Sequence, residues 1–277
     1  MIGTEIIILI ACMISTLGLL YVTMNFGLRD VPHESRWNKK ATPGFGGIGI
    51  MLPVLVYLFF IGDWRIAMYG TGLFLMGILD DMAGLRADFR FIVQCFFASS
   101  ISIWVLELYI QPAWWEVAFS ALFIVTLINA FNFIDNMDGM AGITGLIIAH
   151  YLWIIGGNFV AGILFCTLTV FLWGFNIPKA KMWMGDCGST VLGFLLAVFY
   201  LQGAGGKPDW NALLLFSYPL ADITYITVRR LVEGKRPWTG DTNHIAHLLG
   251  RRLGENWSFV VITIWGMIFY GGMSWME

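Results

Sequence analysis

Charge is what this sequence has least of. Only 12% of its 277 residues are Asp, Glu, Lys or Arg, against about a quarter in soluble domains. Hydrophobic residues make up 58%, and the mean hydropathy is +0.75. A soluble globular domain is thereby excluded. The formal net charge of −2 says little by itself, and no nucleic-acid partner is expected. The four cysteines, Cys12, Cys95, Cys166 and Cys187, have no CxxC spacing. Three fall in predicted spans, so they read as small buried apolar residues and not as a ligand or disulfide set. No repeat of 20–50 residues and no low-complexity linker divides the chain, which is read as one membrane domain over 1–277. Strict polar/apolar alternation is also missing, so the apolar runs predict helices and not a barrel. The first run, Ile2 to Met24, has neither a basic leader nor a small-residue cleavage site, and a retained span is expected there.

What is present is a series of ten apolar segments: 2–24, 44–62, 64–79, 91–108, 114–131, 140–156, 159–176, 189–203, 210–228 and 256–275. The expected fold is an all-α polytopic membrane protein. Its cations fall in alternate loops: Arg29, Arg36, Lys39 and Lys40; Arg86 and Arg90; Lys179 and Lys181; Arg229, Arg230, Lys235, Arg236, Arg251 and Arg252. Only Arg65 and Lys207 lie in the others. By the positive-inside rule, ten spans with both termini periplasmic or extracellular put those loops on the cytoplasmic face.

The same loops hold the unusual polar residues. Asn129, Asn132 and Asp135 recur every three residues at the end of an apolar run, so they share one helix face. Asp138 follows, Asp80-Asp81 close the third run, and Asp186 precedes the eighth. An Asp at the bilayer centre costs roughly 2.5–3.5 kcal/mol, so such clusters call for water, a metal or a ligand. Paired acids at a helix C-terminus oppose its dipole, which points to a bound cation. Carboxylate and amide oxygens suit Mg²⁺, with Mn²⁺ as the alternative. His244 and His247, spaced i, i+3 without a nearby cysteine, are weak evidence for zinc. In Met184-Gly185-Asp186-Cys187-Gly188-Ser189 the glycines suit a turn, Asp186 can reach a metal, and Ser189 can cap the next helix. His150 reads as a packed histidine. Asp222, in a PLxD run with Pro219, suits helix-end pairing and a substrate role equally.

Five motifs, in order, carry a family resemblance. They are Asp30-x-Pro32 with Pro43-x-x-Gly46-Gly47; Asp80-Asp81-x-x-x-Leu85 with Arg90 and Gln94; NxxNxxDNxDG from Asn129 to Gly139; GDCGS from Gly185 to Ser189; and RRLVEGKRPWTGDTNHIAH from Arg229 to His247. Together they resemble the polyprenyl-phosphate N-acetylhexosamine-1-phosphate transferases, closer to the bacterial GlcNAc- and FucNAc-type initiators than to the muramoyl-pentapeptide branch. The resemblance implies a multi-pass protein of the bacterial inner membrane. Such an enzyme transfers a sugar-1-phosphate from a UDP-N-acetylhexosamine to undecaprenyl phosphate and releases UMP, initiating a cell-surface polysaccharide such as O-antigen. It implies Asp186 as the leading Mg²⁺ ligand with Asn132 as its companion. Asp80 and Asp81 would orient or deprotonate the lipid phosphate, or help hold the metal. Asn129, Asp135, Asp138 and Ser189 would belong to the substrate pocket, and His244, His247 and Arg236 would contact the diphosphate. Arg90 stands where relatives typically have a phosphate-binding lysine. Homodimerisation is a family property that none of these residues shows. Two departures stand out: Asn136 in place of a usual Gly, and Ala246 in a loop where many relatives carry another histidine.

Two rival readings have distinct requirements. An intramembrane Mg²⁺-dependent prenyltransferase needs two DxxxD-like clusters, whereas Asp80-Asp81 is followed by Gly84-Leu85 and the central cluster has DxxD spacing. A secondary transporter would place polar groups near the midplane of several spans.

Overall fold

The computed structural model describes residues 2–25, 29–30, 42–107, 112–238 and 243–274. Pro32 of the first motif, the loop residues His33, Arg36, Lys39 and Lys40, and Trp275 lie outside them. The described chain is a helical bundle. In order it comprises α1 (Ile2–Asn25), a short β1 (Arg29–Asp30) paired antiparallel with β2 (Thr42–Pro43), α2 (Gly46–Phe60), α3 (Trp64–Ala83), α4 (Ala87–Glu107) and α5 (Trp114–Ile134). Then come α6 (Met140–Ile154), α7 (Phe159–Phe171) continued by one π-helical turn (Leu172–Asn176), α8 (Asp186–Gly203), α9 (Trp210–Leu215), α10 (Ser217–Val232), α11 (Ile245–Leu253) and α12 (Glu255–Ser274).

Each of the ten apolar segments coincides with helix. Among the described residues, six helical stretches are long and apolar enough to cross a bilayer: 3–25, 64–83, 87–107, 114–134, 159–176 and 186–203. The chain is thus a multi-pass α-helical membrane protein. The segment 210–228 differs from expectation, because it breaks at Phe216 into α9 and α10, just ahead of Pro219. Proline is tolerated in a first helical turn but not in a helix interior.

A helix apolar on every side belongs inside a protein, and α8 is that helix: every residue from Cys187 to Leu201 is buried. Around it pack α2, α3, α5 and α6, and an outer layer of α1, α4, α7, α10 and α12 closes the bundle. Close approach depends on glycine. A Cβ on Gly77 of α3 would lie 2.4 Å from the Cα of Cys187, so α3 and α8 cross almost backbone to backbone. That crossing sits at the N-terminus of α8 and brings Asp81 beside Asp186. The four cysteines are free thiols, buried or half-buried, as small apolar residues would be.

Candidate active-site cleft

The C-terminal ends of α3, α5 and α10 and the N-terminal ends of α4, α8 and α11 meet at one end of the bundle. Asp81 lies on the last turn of α3. Its Oδ1 accepts the Asp186 N–H at 2.8 Å and its Oδ2 accepts the Cys187 N–H at 3.0 Å. An acid disfavoured by the dipole at one helix C-terminus thus caps the N-terminus of another, where the dipole favours it. With both oxygens committed, Asp81 holds the start of α8 and does not line the cleft. Asp80 accepts the Leu85 N–H at 2.7 Å and pairs with Arg90 of α4.

Gly185 immediately precedes α8 with φ +74, and a Cβ there would lie 2.1 Å from the Gly44 carbonyl oxygen. The motif around Gly46-Gly47 explains this crowding. Gly46 N–H donates to Trp183 O at 2.9 Å, Gly47 N–H to Met184 O at 2.8 Å, and Trp183 N–H to Pro43 O at 2.8 Å. Asp186 is therefore delivered into the cleft on a backbone clamped from two sides. The helix begins at Asp186, not three residues later, so Ser189 is no cap. It is buried in the first turn, with its hydroxyl donating to Gly185 O at 3.0 Å.

Asp186 is the hub. Its Oδ1 accepts Asn132 Nδ2 at 2.8 Å and its Oδ2 accepts Arg90 Nη1 at 2.8 Å. Asn132 Nδ2 also donates to Ser189 Oγ at 3.2 Å, so its carbonyl oxygen is turned away from these two acceptors. One turn back on α5, Asn129 donates to Gln94 Oε1 of α4 at 2.8 Å. The predicted Asn129–Asn132–Asp135 face is thus real, and all three residues line one cleft of about 730 Å³ with Arg90, Gln94, Asp186 and His244.

His244 reaches the cleft from the start of α11. Its Nδ1 lies 2.7 Å from Oδ2 of Asp222 on α10, and Asp222 Oδ1 accepts the Ile245 N–H at 2.7 Å. Asp222 is fully buried, so this pair fixes the ring and leaves Nε2 for a ligand. Arg230, two turns beyond Asp222, is buried with its guanidinium 5.1 Å from the Phe133 ring, and it donates to Pro237 O. Arg230, Phe133 and Thr190 line the cleft without having been picked out from sequence. The helical phase could have found the first: Asp222, Ile226 and Arg230 lie at i, i+4 and i+8, and all three are buried.

Besides Asp80, Asp81 and Ser189, three more predicted substrate or catalytic residues lie outside the cleft lining. Asp138 accepts the Ala180 N–H at 3.0 Å and the Trp183 indole N–H at 3.3 Å, bracing the segment that leads to Asp186. Asn176 makes a parallel brace, accepting the Gly139 N–H at 2.8 Å and donating to Met182 O at 2.9 Å. The chain turns away after α5 because Gly139 takes φ +80. Asn136 does not use the left-handed region. Arg236 is exposed and outside the cleft lining. His247 is fully buried behind His244, with ring centres 5.6 Å apart. Burial, and then its neighbour His244, push the His247 imidazole down to about 4, so it sits in this loop as a neutral ring.

The donor set is compatible with a hard divalent cation. Asp80 and Asp186 share a single guanidinium, Arg90, and Asp81 lies directly behind them on the Asp186 N–H. If all are ionised, an excess of two negative charges remains. Among the described residues no three of His, Cys, Asp and Glu form a ready cage. Mg²⁺, however, commonly takes only one or two carboxylates and completes its shell with water and phosphate.

From Asp186 the cleft runs inward along α5 past Asn129 and Thr126 to Val125 and Leu122, walled by Phe91 and Ile92 of α4 and Ile223 of α10. At 1.5 Å per residue, Phe133 to Leu122 spans about 16 Å. One continuous cavity therefore joins a charged end to an apolar trough on the flank of the bundle, where Phe91, Ile92 and Leu122 are exposed.

The sequence profile described as "Glycosyl transferase family 4" matches residues 64–204, from the start of α3 to the end of α8. The chain is 30% identical over 247 residues to the undecaprenyl-phosphate alpha-N-acetylglucosaminyl 1-phosphate transferase of Thermotoga maritima, covering 87% of this chain and 79% of that protein. The Escherichia coli K12 protein of the same name is 30% identical over 278 residues (88% and 75%). A probable undecaprenyl-phosphate N-acetylglucosaminyl 1-phosphate transferase of Bacillus subtilis is 28% identical over 301 residues (95% and 83%). The matched stretch carries Asp80, Asp81, Arg90, Asn132 and Asp186, the residues that meet around the hub of the cleft, and on that ground the chain belongs to glycosyl transferase family 4.

Proposed function

We propose that this protein transfers an N-acetylhexosamine-1-phosphate from a UDP-sugar to undecaprenyl phosphate, forming the lipid diphosphosugar and UMP. The observation that carries this reading is the single cleft with a phosphate-binding chemistry at one end and an apolar trough at the other. A polyprenyl phosphate is that shape: one charged head on a long hydrocarbon chain. The names of the related proteins supply the same reaction.

An oxygen of the lipid phosphate attacks the β-phosphorus of the UDP-sugar, the bridging bond to the α-phosphate breaks, and UMP leaves with that oxygen. The charges balance with no proton transferred, because the lipid phosphate, with a second pKa near 6, is largely ionised at pH 7. No general base is needed, which agrees with an Asp81 wholly occupied by backbone N–H groups. The main obstacle is repulsion between two anions. Arg90 and His244 offer positive or donor groups to the diphosphate, and Asp80 aims Arg90. Asp186 and Asn132, with Asp135 nearby in the lining, would hold Mg²⁺ or Mn²⁺. When bound, that ion would neutralise phosphate oxygens and stabilise charge developing at the leaving group. Asp222 acts through His244 and is a positioning residue.

Ten crossing segments with the cleft end facing the cytoplasm of a bacterial inner membrane fit the distribution of cations, which favours the side where UDP-sugars are available. The test is UMP release by the purified protein with undecaprenyl phosphate and a panel of UDP-N-acetylhexosamines, with and without a chelator. Turnover requiring both the lipid phosphate and a divalent ion is the expected result. Release of pyrophosphate from a prenyl diphosphate, with no UMP from any UDP-sugar, would overturn the reading.

A further inference from the structure

Among the described residues, Arg65 and Lys207 are the only cations at the end of the bundle opposite the cleft. Lys207 is committed to Glu116, over the Trp115 ring. Arg65, in the first turn of α3, has no hydrogen bond or ion pair with any described residue. Its guanidinium lies between two indoles, with Cζ 5.1 Å from the Trp64 ring and 5.3 Å from the Trp104 ring. A cavity of about 350 Å³ opens there between α3 and α4, and Glu107 from the last turn of α4 lines it too. The two opposite charges share one small cavity without forming an ion pair. Around them Trp64, Met68 and Ile103 are 53%, 55% and 44% exposed, so the cavity opens sideways.

Tryptophans gather at the level of lipid headgroups, and six helical stretches here have membrane-spanning length. A guanidinium flanked by indoles has lost part of its water, so an incoming anion interacts with it more strongly. Its planar fork matches the oxygens of a phosphate. A carboxylate on the far wall would repel a purely anionic ligand but suits an ammonium group. We propose that this cavity binds the headgroup of a zwitterionic phosphoethanolamine lipid. The phosphate lies on Arg65, the ammonium lies towards Glu107, and the acyl chains leave along Met68 and Ile103. A concave cavity of this size suits a headgroup better than the flat surface of a second copy.

The experiment is native mass spectrometry of the full chain in detergent, titrated separately with phosphatidylethanolamine, phosphatidylglycerol and phosphatidylcholine. Phosphatidylethanolamine should be retained at least several-fold more than the other two. Arg65→Gln should lower its retention about tenfold, with Arg65→Lys in between. Glu107→Gln should bring phosphatidylethanolamine down to the phosphatidylglycerol level. UMP release with undecaprenyl phosphate in phospholipid-free micelles and the melting midpoint should stay at wild-type values, because Arg65 and Glu107 lie at the far end from the cleft. Equal retention by wild type and a well-folded Arg65→Gln variant would overturn the proposal. So would a wild-type dimer that Arg65→Glu splits and the added Glu107→Arg restores, since the face would then join two copies of the chain.

Discussion

Replacing Asp222 by Asn tests whether His244 acts in the cleft and whether a buried carboxylate sets it there. The substitution keeps the volume and removes one acceptor. Two donors converge on Asp222, the Ile245 N–H and His244 Nδ1, each at 2.7 Å. An asparagine oxygen can accept well from only one of them, so the other donor faces an NH₂ group in a fully buried position. An unsatisfied buried donor costs roughly 1–3 kcal/mol, and losing the charge from the surviving bond about 1 kcal/mol more. If about 2–4 kcal/mol falls on the orientation of His244, kcat should drop roughly 30- to 1,000-fold. The assay is the initial rate of UMP release against UDP-sugar concentration for wild type, Asp222→Asn, His244→Gln and the double variant, each first shown to melt cooperatively in detergent. Residues acting as one unit are not additive, so the double variant should be no slower than His244→Gln alone. Losses that multiply in the double variant would refute the positioning role. So would a wild-type kcat in well-folded Asp222→Asn.

Three further expectations follow from other contacts. Asp186→Asn should abolish UMP release while leaving the melting midpoint nearly unchanged, because its side chain lies in the cleft and not in the core; near-wild-type activity at limiting Mg²⁺ would contradict the role given to it. Asp81→Asn should cost about 1–2 kcal/mol of stability, because one of the two N–H groups at the start of α8 then faces an NH₂ group. It should also lower kcat about 100-fold, since misplacing a reacting group by about 1 Å has that effect, and kinetics beside a denaturation curve would check both. For His247, the folded-state value of about 4 lies below its unfolded value of 6.5, so protonation favours the unfolded chain. The stability it contributes is complete above pH 6.5 and is lost as pH falls towards 4, by up to roughly 3 kcal/mol. Melting midpoints between pH 7.5 and 4.5 should fall less steeply for His247→Gln than for wild type.

The structure shows why neighbouring residues of one motif separate in role. Asp80 and Asp81 read as a pair, yet Asp81 turns to the N-terminus of α8 while Asp80 turns to Arg90. Asp135 and Asp138 read as one cluster, but the turn ending at Gly139 leaves Asp135 in the cleft and sends Asp138 to Ala180 and Trp183. Arg236 and Arg230 lie in one basic run, but Arg230 falls on the buried phase of α10 whereas Arg236 lies beyond the end of that helix and is exposed. For Asp81 and Asp138 a contact with a segment far along the chain decides the direction of the side chain, and local spacing does not encode it.

Composition alone determined that this chain lives in a bilayer, because so much apolar surface and so little charge leave no other solvent for it. The order of motifs likewise determined its family and the short set of polar residues from which a site could be drawn. Which of those residues face a ligand was decided only by the tertiary structure. Glycine at Gly77 and Gly185 lets backbones meet at distances that admit no side chain. Where they meet, the helix ends present N–H groups and carboxylates to one another, and each acid goes to the nearest partner that offsets its loss of water.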